Sequence, residues 1–250
     1  MTAYETITVQ HDGAVATVTL NRPDALNAIT PKMLDELGTV FASIADQPQL
    51  KVAVLTGEGR AFSAGVDIKA LGERSLAGGK VGDILDLPAR RVTELLTTIP
   101  VITIAKVNGF CMTGGLELAL SCDLMVVAED AKLADTHTKW GLRPTWGMSQ
   151  RLPRAVGAAK ARELSFTARI FTGREAAELG MATRAVPRDQ LDAAVAELAE
   201  AIAGNSREAL AAGKALYRAT AGLPLEAGLA YEAAIEYPIT DTDDRLAGFR

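Results

Sequence analysis

The chain has 250 residues, 48% of them hydrophobic, and its 26 basic against 31 acidic residues leave a net charge of -5 at neutral pH. The apolar fraction suffices for one large core, and the acidic balance excludes nucleic acid or an anionic membrane surface as the principal partner, because neither attracts a net-negative protein. The two cysteines, Cys111 and Cys122, fall in one apolar stretch; they read as reduced core thiols and predict a cytoplasmic protein without a disulfide framework. Residues 1–9 match neither a signal nor a transit peptide, and no apolar run is long enough to span a bilayer.

In chain order, residues 5–10 and 14–20 alternate apolar and polar side chains around His11-Asp12-Gly13, the pattern of a β-hairpin with a glycine in its turn. His11 then sits at the hairpin tip as a surface residue. Thr30-Pro31 opens a helix, threonine as N-cap and proline in the first helical position. Residues 52–56, 101–107 and 124–128 are short, β-branched, continuously apolar runs, as expected of buried strands. Helical stretches separate them, which predicts an α/β fold with at least partly parallel strands. The glycine-rich segment 72–82 predicts a mobile lid beside a site. Beyond residue 147 no second run of strands is expected. Thr172 with Glu175 forms a capping box, Gly180 ends the helix that follows, and residues 191–203, 207–220 and 225–237 read as alanine-rich helices. The chain therefore divides into an α/β core over residues 1–190 and a helical region over 191–250.

One charge stands out. Between Lys106 and Asp123 the only charged residue is Glu117, one helical turn after Gly114-Gly115. A helix starting at Gly114 has apolar neighbours on every side of that glutamate, so no polar stripe carries it into water. A buried carboxylate is costly unless it is paired or holds a raised pKa as an acid or base. The glycines permit close backbone approach, and the first amides of a helix lack intrahelical partners, so they can donate to an oxyanion. On this segment alone a glutamate paired with a distant arginine explains the pattern equally well.

A second glycine motif, Ser63-Ala64-Gly65-Val66-Asp67, follows the strand at 52–56 and by itself is an ordinary strand-to-helix turn. Together with Val107-Asn108-Gly109 and Gly114-Gly115-Leu116-Glu117 it resembles the crotonase (enoyl-CoA hydratase/isomerase) superfamily. The resemblance extends from Asn21-Arg22-Pro23 and Asn27-Ala28 through residues 128–134 to the stretch from Gly173 to Gly180. It implies a crotonase-like spiral of ββα units with a C-terminal helical trimerisation region, assembled as a homotrimer or dimer of trimers. It also implies an acyl-CoA thioester as substrate, a stabilised enolate, and no metal or further cofactor. The Val66 and Gly114 amides match the family's oxyanion donors, and Glu117 its catalytic glutamate. Arg22, Ala25, Leu26, Ala64, Asp67, Ile68 and Lys69 match regions that hold the CoA moiety, although Arg22 and Lys69 read equally as solvated charges. Members usually continue past the position of Arg250 with basic residues that touch CoA.

The sequence departs from the family at two places. The second glutamate of typical hydratases falls at His137, and a glycine eight residues further on, whose amide helps hold water, is Thr145 here. With a reference pKa of about 6.5, a histidine gives or takes a proton at neutral pH, so His137 is a candidate partner for Glu117 as well as a candidate cap. Asp135 lies within reach, but strand alternation leaves its direction open. The resemblance therefore implies hydration of a 2-enoyl-CoA, with one-carboxylate isomerisation or acyl-CoA binding without turnover as alternatives.

Overall fold

The computed structural model describes residues 4–71 and 77–248; residues 72–76 of the expected lid lie outside them. The hairpin forms as β1 (Ile7–Asp12) and β2 (Val15–Leu20), antiparallel and in register from Ile7–Leu20 to Asp12–Val15. Its turn is one step later than expected: Gly13 takes φ +55° and His11 pairs with Ala16 inside the strand, still exposed. Helix α1 (Pro31–Ala45) starts as predicted, with the Thr30 hydroxyl accepting the Met33 amide at 3.2 Å.

Three ββα units then repeat. β3 (Val52–Gly57) and β4 (Ala61–Ser63) precede α2 (Asp83–Thr98); β5 (Ile102–Val107) and β6 (Phe110–Met112) precede α3 (Gly114–Ala119); β7 (Leu124–Ala128) and β8 (Lys132–Ala134) precede α4 (Met148–Val156) and α5 (Ala158–Thr167). In each unit the first strand joins one sheet and the second strand another. The chain thus advances one strand along both sheets per repeat. The larger sheet runs β1-β2-β3-β5-β7-β10 and the smaller β4-β6-β8-β9. From β2 onward the larger sheet is parallel. All six residues of β3 are buried, which is why this strand reads as a continuous apolar run rather than an alternating one.

The absence of strands after residue 147 is not what the structure shows. β9 (Phe171–Thr172) pairs antiparallel with β8, and β10 (Arg184–Val186) adds a parallel edge to β7. The two carry only two and three residues, too few for a periodicity to register. Between them lies α6 (Gly173–Glu178), capped by Thr172, whose hydroxyl accepts the Glu175 amide at 3.1 Å. Helices α7 (Leu191–Ala203), α8 (Arg207–Thr220), α9 (Leu225–Ala234) and α10 (Thr242–Ala247) complete the chain, α9 ending three residues before the expected limit. Among the described residues, no helix is long and apolar enough to cross a membrane.

Basic side chains fasten the C-terminal helices to the core. Lys51 Nζ donates to the carbonyls of Ala203 (2.7 Å) and Asn205 (2.8 Å). Lys214 is 8% exposed; its ammonium donates to the carbonyls of Leu96 (2.8 Å) and Val101 (2.9 Å) and pairs with Asp123 at 2.7 Å. Removing the ammonium leaves the Leu96 and Val101 carbonyls without this buried donor. Lys214→Ala is therefore expected to destabilise the fold by about 2 kcal/mol, seen as a lower urea midpoint at unchanged m-value.

Candidate functional site

Strands β4, β6 and β8 are mutually parallel, so their carboxyl ends point to one edge of the small sheet. Each strand is followed there by one part of the site. β4 leads into Ala64-Gly65-Val66, β6 into Thr113 and the first turn of α3, and β8 into Asp135-Thr136-His137. Topology alone brings together residues as far apart in the chain as Ala64 and His137.

The two glycine motifs touch. Gly65 has φ +89°, and a Cβ built on it would stand 3.0 Å from the Met112 carbonyl oxygen and 3.6 Å from the Gly114 amide nitrogen. Any side chain here would be strained and would push the two motifs apart. The Ala64 and Asp67 amides donate to Leu26 and Ile29, whereas neither the Val66 nor the Gly114 amide has an acceptor among the described residues. Thr113, just ahead of α3, takes φ 48° and ψ -105°, an unusual conformation for a residue with a Cβ. Its neighbours hold it there: its amide donates to Ala134 O at 2.9 Å, and its hydroxyl shares a 2.5 Å hydrogen bond with that of Thr136. Both contacts tie the start of α3 to the end of β8.

Glu117 is 2% exposed. Its Oε1 accepts two amides, from Trp146 at 3.1 Å and Met148 at 2.9 Å, while Oε2 faces His137 Nε2 at 3.7 Å. Among the described residues its ion-pair partner is this histidine; no arginine or lysine takes that place. Burial raises its pKa, and the His137 ring and the two amides offset that only in part. Asp135 is directed towards His137 rather than away from it: Oδ1 lies 2.7 Å from Nδ1 of the ring, and Oδ2 accepts the Ser165 hydroxyl at 2.6 Å. Burial pushes the Asp135 carboxyl up, but the His137 and Ser165 hydrogen bonds outweigh it and hold the group below the usual carboxylate range. An ionised Asp135 can only accept, so Nδ1 carries the hydrogen and Nε2 is left for exchange with Glu117. His137 occupies the N-cap position of a short 3₁₀ turn, yet its side chain makes no capping bond.

These groups surround a cavity of about 60 Å³ lined by Val66, Gly114, Glu117, His137, Thr145 and Trp146. Ala64 and Ile68 line it as well. Thr145 borders the cavity, with its hydroxyl donating to Asp86 at 2.7 Å. Arg22, Ala25, Leu26, Asp67 and Lys69 do not line the cavity. Arg22 braces the neighbouring strip, donating to Ala28 O at 2.5 Å and pairing with Asp67 at 3.0 Å, while Leu26 O receives the Ala64 amide. Lys69 is exposed. Trp146, Met148 and the strained Thr113 are site residues that the sequence did not reveal. An indole and two amides 29 and 31 positions from Glu117 carry no motif, although Trp146 does stand next to the substituted Thr145. Among the described residues, no group of three or more His, Cys, Asp or Glu side chains could hold a metal ion.

The site thus belongs to an α/β spiral of ββα units in which Val66 and Gly114, whose amides have no acceptor among the described residues, line one cavity with a buried carboxylate. The enoyl-CoA hydratase/isomerase family model matches residues 10–250, and the chain belongs to that family. It is 34% identical over 245 residues to a probable enoyl-CoA hydratase of Mycobacterium tuberculosis, covering 98% of this chain and 93% of that protein. The crystal structure of enoyl-CoA hydratase from Bacillus anthracis superposes with a TM-score of 0.88 at 33% identity, over 98% of this chain and 95% of that one. A putative enoyl-CoA hydratase from Thermobifida fusca, solved in complex with CoA, gives 0.82 at 30% identity, over 98% and 94% of the two chains.

The raised pKa of Glu117 means that the folded protein binds this proton more tightly than the unfolded chain. Its contribution to stability is complete below the unfolded-state value and is lost as pH rises through the folded-state value. Glu117→Gln removes that loss while keeping an oxygen for both amides. The variant's melting temperature relative to wild type is expected to rise as pH increases above the ordinary glutamate value of about 4.3, measured by thermal denaturation at each pH.

Proposed function

We propose that this chain is an acyl-CoA lyase that adds water across the double bond of a 2-enoyl-CoA to give the 3-hydroxyacyl-CoA. The observation that carries the reading is the opposition of Glu117 Oε2 and His137 Nε2 at 3.7 Å, next to two free amides. Water hydrogen-bonded to both groups at about 2.8 Å would lie over one face of the acyl chain. With Glu117 ionised and His137 protonated, the carboxylate takes a proton from water as its oxygen bonds to the β-carbon. The π electrons move to the thioester oxygen, where the Val66 and Gly114 amides receive the enolate. His137 Nε2 then delivers its proton to the α-carbon, completing a syn addition. One proton then passes from Glu117 to His137 and resets the pair. Each oxyanion donor of this kind is worth about 10²–10³ in rate. The raised pKa makes Glu117 a stronger base than an ordinary carboxylate, and Asp135 holds the imidazole with Nε2 towards the substrate.

The addition forms one C–O and one C–H bond with no net change of oxidation state, and the two amides take the place of a Lewis acid at the thioester oxygen, so the reading calls for no metal or redox cofactor. Arg22, Ala25, Leu26, Ala64, Asp67, Ile68 and Lys69 are proposed to flank the CoA moiety, a reading supported by their adjacency to the Val66 loop and by the CoA-bound relative. A homotrimer or dimer of trimers is supported by α9, which buries none of its residues within the chain and leaves Leu225 and Leu229 exposed. A cytoplasmic setting is supported by the free thiols Cys111 and Cys122, the latter pushed up by burial to about 12 and so kept unreactive. Isomerisation is the second reading, because Glu117 is the single carboxylate lining the cavity among the described residues.

Loss of crotonyl-CoA absorbance on adding the protein tests hydration, and conversion of a 3-enoyl-CoA tests isomerisation. Glu117→Gln is expected to lower hydration by at least about 10²-fold with CoA affinity retained. His137→Gln should remove one limb of the pH–rate profile and depress hydration more than isomerisation. A wild-type profile and rate in His137→Gln would leave Glu117 acting alone.

A further inference from the structure

Among the described residues, Asp86 is the one buried carboxylate near the site that the mechanism leaves unused. It lies in the first turn of α2 and is 1% exposed. Its Oδ1 accepts the Thr145 hydroxyl at 2.7 Å and the Trp146 indole Nε1 at 2.9 Å, whereas Oδ2 is buried without a partner among the described residues. A half-satisfied buried carboxylate is a poor stabiliser, since the unpaired oxygen bears its full desolvation cost. What Asp86 holds is therefore more informative than what it contributes to folding.

Trp146 is committed at every polar atom. The indole donates to Asp86, the amide to Glu117 Oε1, and the carbonyl accepts Arg151 Nη1 at 2.8 Å. The ring lies close against Gly114: a Cβ there would stand 2.7 Å from Cζ3. The next residue, Gly147, has φ +119°, which turns the chain so that the Trp146 and Met148 amides reach the same carboxylate oxygen. Trp146 is thus in contact with both the Gly114 backbone and Glu117.

We propose that Asp86 is a positioning residue: by gripping the Trp146 indole through Oδ1, it sets the placement of Glu117 relative to the Gly114 amide. The inference rests on the hydratase reading for its kinetic consequence, while the grip itself has a readout of its own. The role requires an acceptor, not a charge. Asp86→Asn keeps an oxygen at Oδ1, and Asp86→Ala removes it. Trp146→Phe keeps the ring against Gly114 but deletes the donor, and serves where Asp86→Ala fails to fold.

The chain has two tryptophans, and Trp146 is 3% exposed against 61% for Trp140. In a Trp140→Phe background, emission therefore reports on Trp146 alone. There Asp86→Ala is expected to shift that emission to longer wavelength, and to lower kcat for crotonyl-CoA about 10–100-fold with KM changed less than about threefold, as misplacement of reacting groups does. Loosening the Trp146 amide also removes one contact that pulls the Glu117 pKa down, so the acid limb of kcat/KM should move to higher pH. A merely structural residue would change stability without moving that limb. Asp86→Asn should restore both emission and kcat to within about threefold, and Trp146→Phe should lose kcat as Asp86→Ala does. Wild-type kcat in a folded Asp86→Ala or Trp146→Phe protein overturns the proposal, whatever the emission does. So does an Asp86→Asn variant as impaired as Asp86→Ala, which would make the charge the operative feature. If the wild type lacks hydration and isomerisation altogether, the enzymatic reading fails and this proposal with it, whereas an emission shift in Asp86→Ala would still show the grip.

Discussion

Keeping Glu117 out of water is the constraint on which the rest of the site depends. At 2% exposure a carboxylate cannot rely on solvent, so the fold must supply its partners. It does so unevenly. Two backbone amides hold Oε1 in place, while Oε2 faces, among the described residues, only a histidine at 3.7 Å. One oxygen is fixed and the other remains able to exchange a proton, which is the division that proton transfer to a substrate requires.

The surrounding groups follow from that division. Asp135 and Glu117 are both buried carboxylates, yet hydrogen bonds lower the first below its usual range while burial raises the second. Environments that separate two carboxylates in this way suit them to distinct tasks, one as a fixed acceptor for the imidazole and the other as a group able to exchange a proton. His137 lies between them, its Nδ1 towards Asp135 and its Nε2 towards Glu117. The strained Thr113 and the side-chain-free Gly65 place two unpartnered amides near this relay. The small sheet unites these parts, because three parallel strands deliver their loops to one edge.

Much of this was readable from particular residues. The isolation of Glu117 among apolar neighbours indicated burial and a perturbed pKa, and Thr30-Pro31 marked the start of α1 correctly. The continuous apolar run at residues 52–56 indicated a buried strand in a parallel sheet. The split into two sheets was less accessible, since β4, β6 and β8 have three residues each, too short to show a period. The direction of Asp135 was undecidable by alternation for a physical reason: the chain leaves the strand after Ala134, and His137 has helical φ -51° and ψ -52°, so the two side chains meet. Asp86 and Trp146 are sixty positions apart and belong to no motif. Only folding brings them to the site.

The central claim is that Glu117 is a buried base with a raised proton affinity in the resting protein. Its titration can be followed directly by carboxyl-carbon NMR of protein labelled at glutamate, with the resonance assigned by its loss in Glu117→Gln. The account predicts a midpoint clearly above the ordinary glutamate value of about 4.3, with a second inflection from coupling to His137 that disappears in His137→Gln. A single titration at or below the ordinary value would mean that Glu117 is a stabilised carboxylate, and would contradict the account.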